Sequence, residues 1–125
     1  MSWSVVIPGL VLPGKNDVTR WHWAKQRRET KRVRDAIMRT PCPKGKPLEH
    51  AAVKLTIYGP YRHDRHSIWI EDVLDGIVAR PIKRWANERR WGLIVDDKPS
   101  VIGMPEVEVI KAPAYSVRIQ VDERP

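Results

Sequence analysis

Three separate stretches of the sequence deliver carboxylates. Asp64 stands between His63 and His66 in YRHDRH, Asp72 and Asp75 lie in IEDVLDG, and Asp96 with Asp97 follow the apolar run LIV. Hard divalent cations such as Mg²⁺ take oxygen ligands, commonly one or two carboxylates together with water and substrate phosphate. An ion held by such a cluster would polarise a phosphodiester and activate water for in-line attack opposite the 3′ leaving oxygen. The same acids also fit a plainer role, as solvated surface groups or as partners for the many arginines. His63, Asp64 and His66 admit three readings: metal ligands, a general base with its orienting group, or a polar loop. Cys42 has no second cysteine to complete a zinc set. No GxxxxGK, GxGxxG or GxSxG motif occurs, which argues against nucleotide hydrolysis, dinucleotide binding and a serine nucleophile elbow.

The charge pattern supplies a partner for that chemistry. The chain carries 23 Lys and Arg against 15 Asp and Glu, a net charge of +8, so a polyanion is its natural ligand. Arg20, Lys25, Arg27, Arg28, Lys31, Arg32, Arg34 and Arg39 crowd one stretch, and Lys83, Arg84, Arg89 and Arg90 form a second. The acids at 64–75 fall between the two basic clusters. Six tryptophans and no phenylalanine add a further feature, with Trp21, Trp23, Trp69, Trp85 and Trp91 in or beside the charged segments. Some of these indoles could stack on unpaired bases. Packing in a core or a dimer interface is the favoured reading, because an indole buries a large area.

The elements that must position these groups follow from periodicity. Trp3, Val5, Val6 and Ile7 before Pro8-Gly9 suit a first strand. Residues 19–39 contain no Gly or Pro and place Trp21, Ala24, Val33, Ala36 and Ile37 at helical spacing, which predicts one helix capped by Asp17 or Thr19, with a basic outer face. Residues 40–47, TPCPKGKP, stop it. AAVKLTIYG at 51–59 alternates apolar and other residues as a half-buried strand does. Ile70, Val73, Leu74 and Ile77 predict a helix over 67–79, with Glu71, Asp72 and Asp75 at other angles. A short helix at 82–92 and two final strands, read as a hairpin, complete the order.

The expectation is a single α+β domain spanning residues 1–125, a mixed sheet packed with two or three helices. One cysteine leaves hydrophobic burial to hold the fold, which fits a cytosolic protein. The opening MSWSVVIPGLVLPG is broken by Pro8 and Pro13 and has no charged leader, so it reads as a buried strand; neither a signal peptide nor a membrane span is expected.

Two regions resemble the RusA family of Holliday-junction resolvases. IPGLVLPGKN followed by the basic helix, residues 7–39, is similar to that family's first strand, proline-containing loop with an Asn, and helix. HDRHSIWIEDVLDGIV and GLIVDDKPSVIG, within residues 63–103, resemble its aspartate loop, its helix with an Asp before a small residue, and its Asp-Asp pair ahead of a strand. The resemblance runs through much of the chain, in the same order. It implies a RusA-like α+β fold and a Mg²⁺- or Mn²⁺-dependent endodeoxyribonuclease that nicks symmetric strands of branched DNA as a homodimer. A phage- or prophage-encoded protein in the bacterial cytoplasm is the implied setting.

Carried over by position, the resemblance makes Asp64, Asp75 and Asp97 catalytic metal ligands. Asp96 and His66 become supporting ligands, and Asn16, Arg20, Lys25, Arg27, Arg28, Lys31, Arg32, Lys83 and Arg84 DNA contacts. The sequence departs from the family in three places. The loop reads Asp64-Arg65-His66-Ser67 where members have Asp-x-Asp-Asn, no lysine stands near Ile70 or Glu71, and KRWANERRW at 83–91 is an insertion. Replacing a carboxylate by His removes a negative charge and should favour Mn²⁺ over Mg²⁺. The alternative function is therefore a weakened or inactive protein that binds branched or single-stranded DNA without cutting it.

Overall fold

The strand at 51–59 is the hub of the sheet because its alternation lets it bury one side completely. In the computed structural model, which describes residues 2–40, 47–61, 68–78, 92–96 and 98–124, strand β2 spans Ala51–Gly59, and Ala51, Val53, Leu55 and Ile57 are all buried. Strand β4, Ser116–Glu123, lies antiparallel to it and sets like against like: Val53 faces Val121, Leu55 faces Ile119 and Ile57 faces Val117. Such cross-strand apolar pairs are the main source of sheet stability and also fix its register. Strand β1, Ser2–Pro8, pairs antiparallel with the other side of β4, bringing Val5 to Ile119 and Ile7 to Val117. Strand β3, Glu106–Lys111, runs parallel to β2, so the order is β1-β4-β2-β3.

This mixed sheet with packed helices is the expected α+β class, but the expected terminal hairpin does not form. β3 and β4 are separated by β2. The reason lies in what each strand carries. Val117, Ile119 and Val121 on β4 are all buried between two apolar strands, whereas β3 exposes Glu106, Glu108, Ile110 and Lys111. Charges of this kind suit an edge, where they discourage further pairing.

The connection over the end of β2 depends on Gly59. A Cβ there would sit 2.5 Å from Cδ1 of Tyr115 and 2.8 Å from Cε2 of Tyr61. The two rings meet edge to face, their centroids 5.2 Å apart. The Leu12 N–H donates to Oη of Tyr61 at 2.9 Å, and burial holds that hydroxyl protonated above the ordinary tyrosine range. Gly59→Ala should therefore push both rings aside and lower stability by about 1–3 kcal/mol, the usual cost of overpacking. Urea unfolding of the variant checks this, and an unchanged midpoint would contradict it.

The predicted long helix is in fact two. Helix α1 spans Lys15–Arg20 and helix α2 Trp23–Met38, with Trp21 and His22 extended between them. His22 caps α2 through Nδ1, which accepts the Ala24 N–H at 3.3 Å. The Gln26 amide reaches back to the carbonyls of Val18 (2.7 Å) and Trp21 (3.4 Å), satisfying the open end of α1. Neither expected cap serves: Asp17 lies inside the first turn of α1, and Thr19 Oγ1 donates to the Asn16 carbonyl. Val33, Ala36 and Ile37 do share the buried face.

Two shorter helices follow. Helix α3, Glu71–Ile77, is narrower than the predicted 67–79, and helix α4, Pro99–Ile102, was not expected from the sequence. Pro99 opens α4 from the first-turn position that tolerates proline, and Val101 and Ile102 sink into the core. The inward sides of β1, β2 and β4 form one apolar cluster with α2, α3 and α4. The predicted helix at 82–92 lies outside the described residues except for Gly92.

Candidate carboxylate site and basic helix

Helix α3 is buried on almost every side, and its acids are buried with it. Asp72 is 5% and Asp75 6% exposed, although both fall at angles away from Val73, Leu74 and Ile77. The plainer reading of these two as solvated surface groups therefore does not hold. Helix α2 packs against α3 and meets it at Asp72. The Thr30 hydroxyl of α2 donates to Asp72 Oδ1 at 3.1 Å. Taking carboxylates out of water costs several kcal/mol each before compensation, so a chain keeps such groups for internal pairing or for chemistry.

The third acidic segment is brought to the end of this helix by backbone hydrogen bonds. The Leu93 N–H donates to the Ile77 carbonyl at 2.9 Å, and Ile94 forms parallel bridges with both Val78 and Leu48. The Val95 N–H reaches the Leu48 carbonyl at 3.0 Å, and half-buried Asp96 comes next in the chain. Asp75 and Asp96 thus stand on adjoining segments. Asp64 falls in sequence between Tyr61, just past β2, and Ile68, which bridges to Gly14. Asp64, His66, Asp97, Lys83 and Arg84 lie outside the described residues. Among the described residues no group of three or more His, Cys, Asp or Glu side chains gathers to hold a metal ion. The described acids nevertheless fit a hard cation in kind, since Asp75 and Asp96 supply oxygen donors.

On its opposite side α2 is cationic. Lys25, Arg27, Arg28, Lys31 and Arg39 are exposed, as are Asn16 and Arg20 on α1. Arg28, Lys31, Arg32, Asp35 and Arg39 line an open depression of about 350 Å³, four cations around one carboxylate. The members of the basic cluster are not equivalent. Arg32 donates to the Val11 carbonyl and pairs with Glu29 at 2.7 Å, which clips the 9–14 loop to the helix. Arg34 is buried and pairs with Asp35 at 2.7 Å. The same helix therefore turns cations outward and a hydroxyl inward to the buried acid of α3.

Neither a family model nor a curated protein matches this chain.

Sequence reasoning missed two features of the site. Thr30 gave no signal, because a threonine within a basic helix reads as surface. Trp23, expected to pack in a core or a dimer interface, is 62% exposed on the chain, so it is no part of the core. Its helical neighbours held the clue: Gln26 and Arg27, three and four residues on, offer no apolar side chain for it to pack against. No helix among the described residues is long and apolar enough to cross a membrane.

Proposed function

We propose that the chain is a metal-dependent, structure-selective DNA endonuclease that resolves four-way or other branched DNA by paired nicking. The observation that carries this reading is the pair of buried carboxylates on α3, lying directly against a helix whose outer face is basic. Lys25, Arg27, Arg28 and Lys31 hold backbone phosphates, with Asn16 and Arg20 extending the grip along α1. Arg32 contributes mainly by fixing the 9–14 loop, and Lys83 and Arg84 add a second phosphate contact. Asp75 and Asp97, with Asp64 from its loop, hold Mg²⁺ or Mn²⁺, supported by Asp96 and His66. The ion would supply Lewis-acid polarisation of the scissile phosphate and activation of the attacking water.

The Thr30 hydroxyl donates to Asp72, and Asp75, about one turn further along α3, is the acid assigned to the ion. Paired nicking of a symmetric junction calls for two sites related by a two-fold axis, hence a homodimer. The bacterial cytoplasm, with a phage or prophage gene as source, is the setting this reading carries.

Calorimetric titration of the EDTA-stripped protein with Mn²⁺ tests the site itself. Saturable binding that is lost in Asp64→Lys is expected. A wild-type protein that takes up no Mn²⁺, or an Asp64→Lys variant that binds it equally well, would remove the metal from the account. Salt-sensitive junction binding would then leave the non-cutting DNA binder as the reading to adopt.

A further inference from the structure

An exposed indole on a cationic helix needs a reason beyond charge. Trp23 is the first residue of α2 and stands 62% exposed. Single exposed apolar residues are ordinary on protein surfaces. What sets this one apart is its surroundings. The Arg27 guanidinium lies 6.0 Å from the Trp23 ring centroid, and the His22 ring is tilted against the indole at 5.3 Å. Two residues earlier, Lys25 Nζ lies 4.6 Å from the Trp21 ring. Each indole is thus held beside a cation, an arrangement that orients the ring while leaving much of Trp23 open to solvent.

The helix then continues the pattern at four-residue spacing. Trp23, Arg27 and Lys31 fall on one exposed row, each step about 6 Å along the axis. An aromatic face followed by evenly spaced cations matches a single nucleic-acid strand, which offers a base to stack and phosphates to neutralise. A membrane surface is less well served, because lipid insertion asks for several apolar side chains on one face and this row supplies one.

We infer that Trp23, backed by Arg27, is a stacking platform for an unpaired base, with the attached strand running along the Arg27–Lys31 row. This rests on the proposed function only for the choice of DNA as polyanion, and it adds what that reading lacks, a means of telling a branch with unpaired bases from plain duplex.

Binding measured in EDTA separates the platform from cleavage. The probes are a fluorescein-labelled oligothymidylate of about fifteen nucleotides and a duplex of matched length, followed by anisotropy. Trp23→Ala should weaken oligothymidylate binding about ten-fold and duplex binding less than about two-fold, since base stacking is present only in the first. Trp23→Phe should keep most of the affinity. Circular dichroism should show both variants folded, because an exposed first helical residue carries little of the core. Equal losses on both DNAs, or no loss on either, would overturn the platform. So would wild-type protein that binds phosphatidylglycerol vesicles and ignores oligothymidylate. A protein that binds as described yet never cuts a junction keeps the platform and loses the endonuclease. One that cuts junctions with Trp23→Ala indifferent in binding loses the platform alone.

Discussion

Asp75→Asn is expected to reduce metal-dependent cleavage of a four-way junction by about a thousandfold or more, the loss of several kcal/mol of metal-borne stabilisation. The substitution keeps size and shape but removes the charge that would hold a divalent cation. Asp72→Asn should cost less than about ten-fold, because one Asp72 oxygen is already committed to the Thr30 hydroxyl and the residue's task is to fix α3. The two variants therefore divide a positioning acid from a ligand on the same helix. Gel-resolved cleavage rates in Mn²⁺, with circular dichroism to verify folding, make the comparison. Equal losses at both positions would mean that burial in α3, and not ion binding, sets the activity.

The second large effect concerns the outer face of α2. Lys25→Ala, Arg28→Ala and Lys31→Ala combined should flatten the dependence of log K on log salt by about three, since each phosphate contact contributes about 0.9 to that slope. Affinity for junction and duplex should fall together, because phosphate contacts carry no structural or sequence information. Arg32→Ala should behave differently. Its guanidinium bonds the Val11 carbonyl and Glu29, so its removal should lower thermal stability more than the salt slope. Anisotropy titrations at several salt concentrations, beside melting curves, separate the two. An Arg32 variant that changes the slope as Lys31→Ala does would return Arg32 to the DNA-binding face.

What the sequence made legible was whatever depends on periodicity. β2 could be read at its observed bounds because Ala51, Val53, Leu55 and Ile57 alternate without interruption, and β4 could be read as a strand, though not at its bounds, because Val117, Ile119 and Val121 do the same. Pairing was not legible, since a period of two says that a strand has a buried side and nothing about which strand lies next to it. The break between α1 and α2 was hidden for another reason. It is made by His22 and Gln26 side chains competing for backbone groups, without the Gly or Pro that would mark it.

At the site, the acids of α3 were visible as candidates but their environment was not. Their angles set them off the apolar stripe of Val73, Leu74 and Ile77, which for an isolated helix means solvent. Their burial is a tertiary fact, to which α2 contributes by packing against α3 at Asp72. Asp96 was placed by the Leu93 and Val95 backbone bonds, which likewise have no local signature. The exposure of Trp23 was readable from its neighbours, had the polarity of the residues a turn away been set against the usual burial of tryptophan.

The most direct test of the account is to incubate the purified chain with a labelled synthetic four-way junction and a matched linear duplex, in Mn²⁺, Mg²⁺ or EDTA. Paired nicks on the junction alone, present with metal and absent in EDTA, are the predicted result. Tight junction binding with no cut in either metal would contradict it, and would make the basic helix the whole of the protein's function.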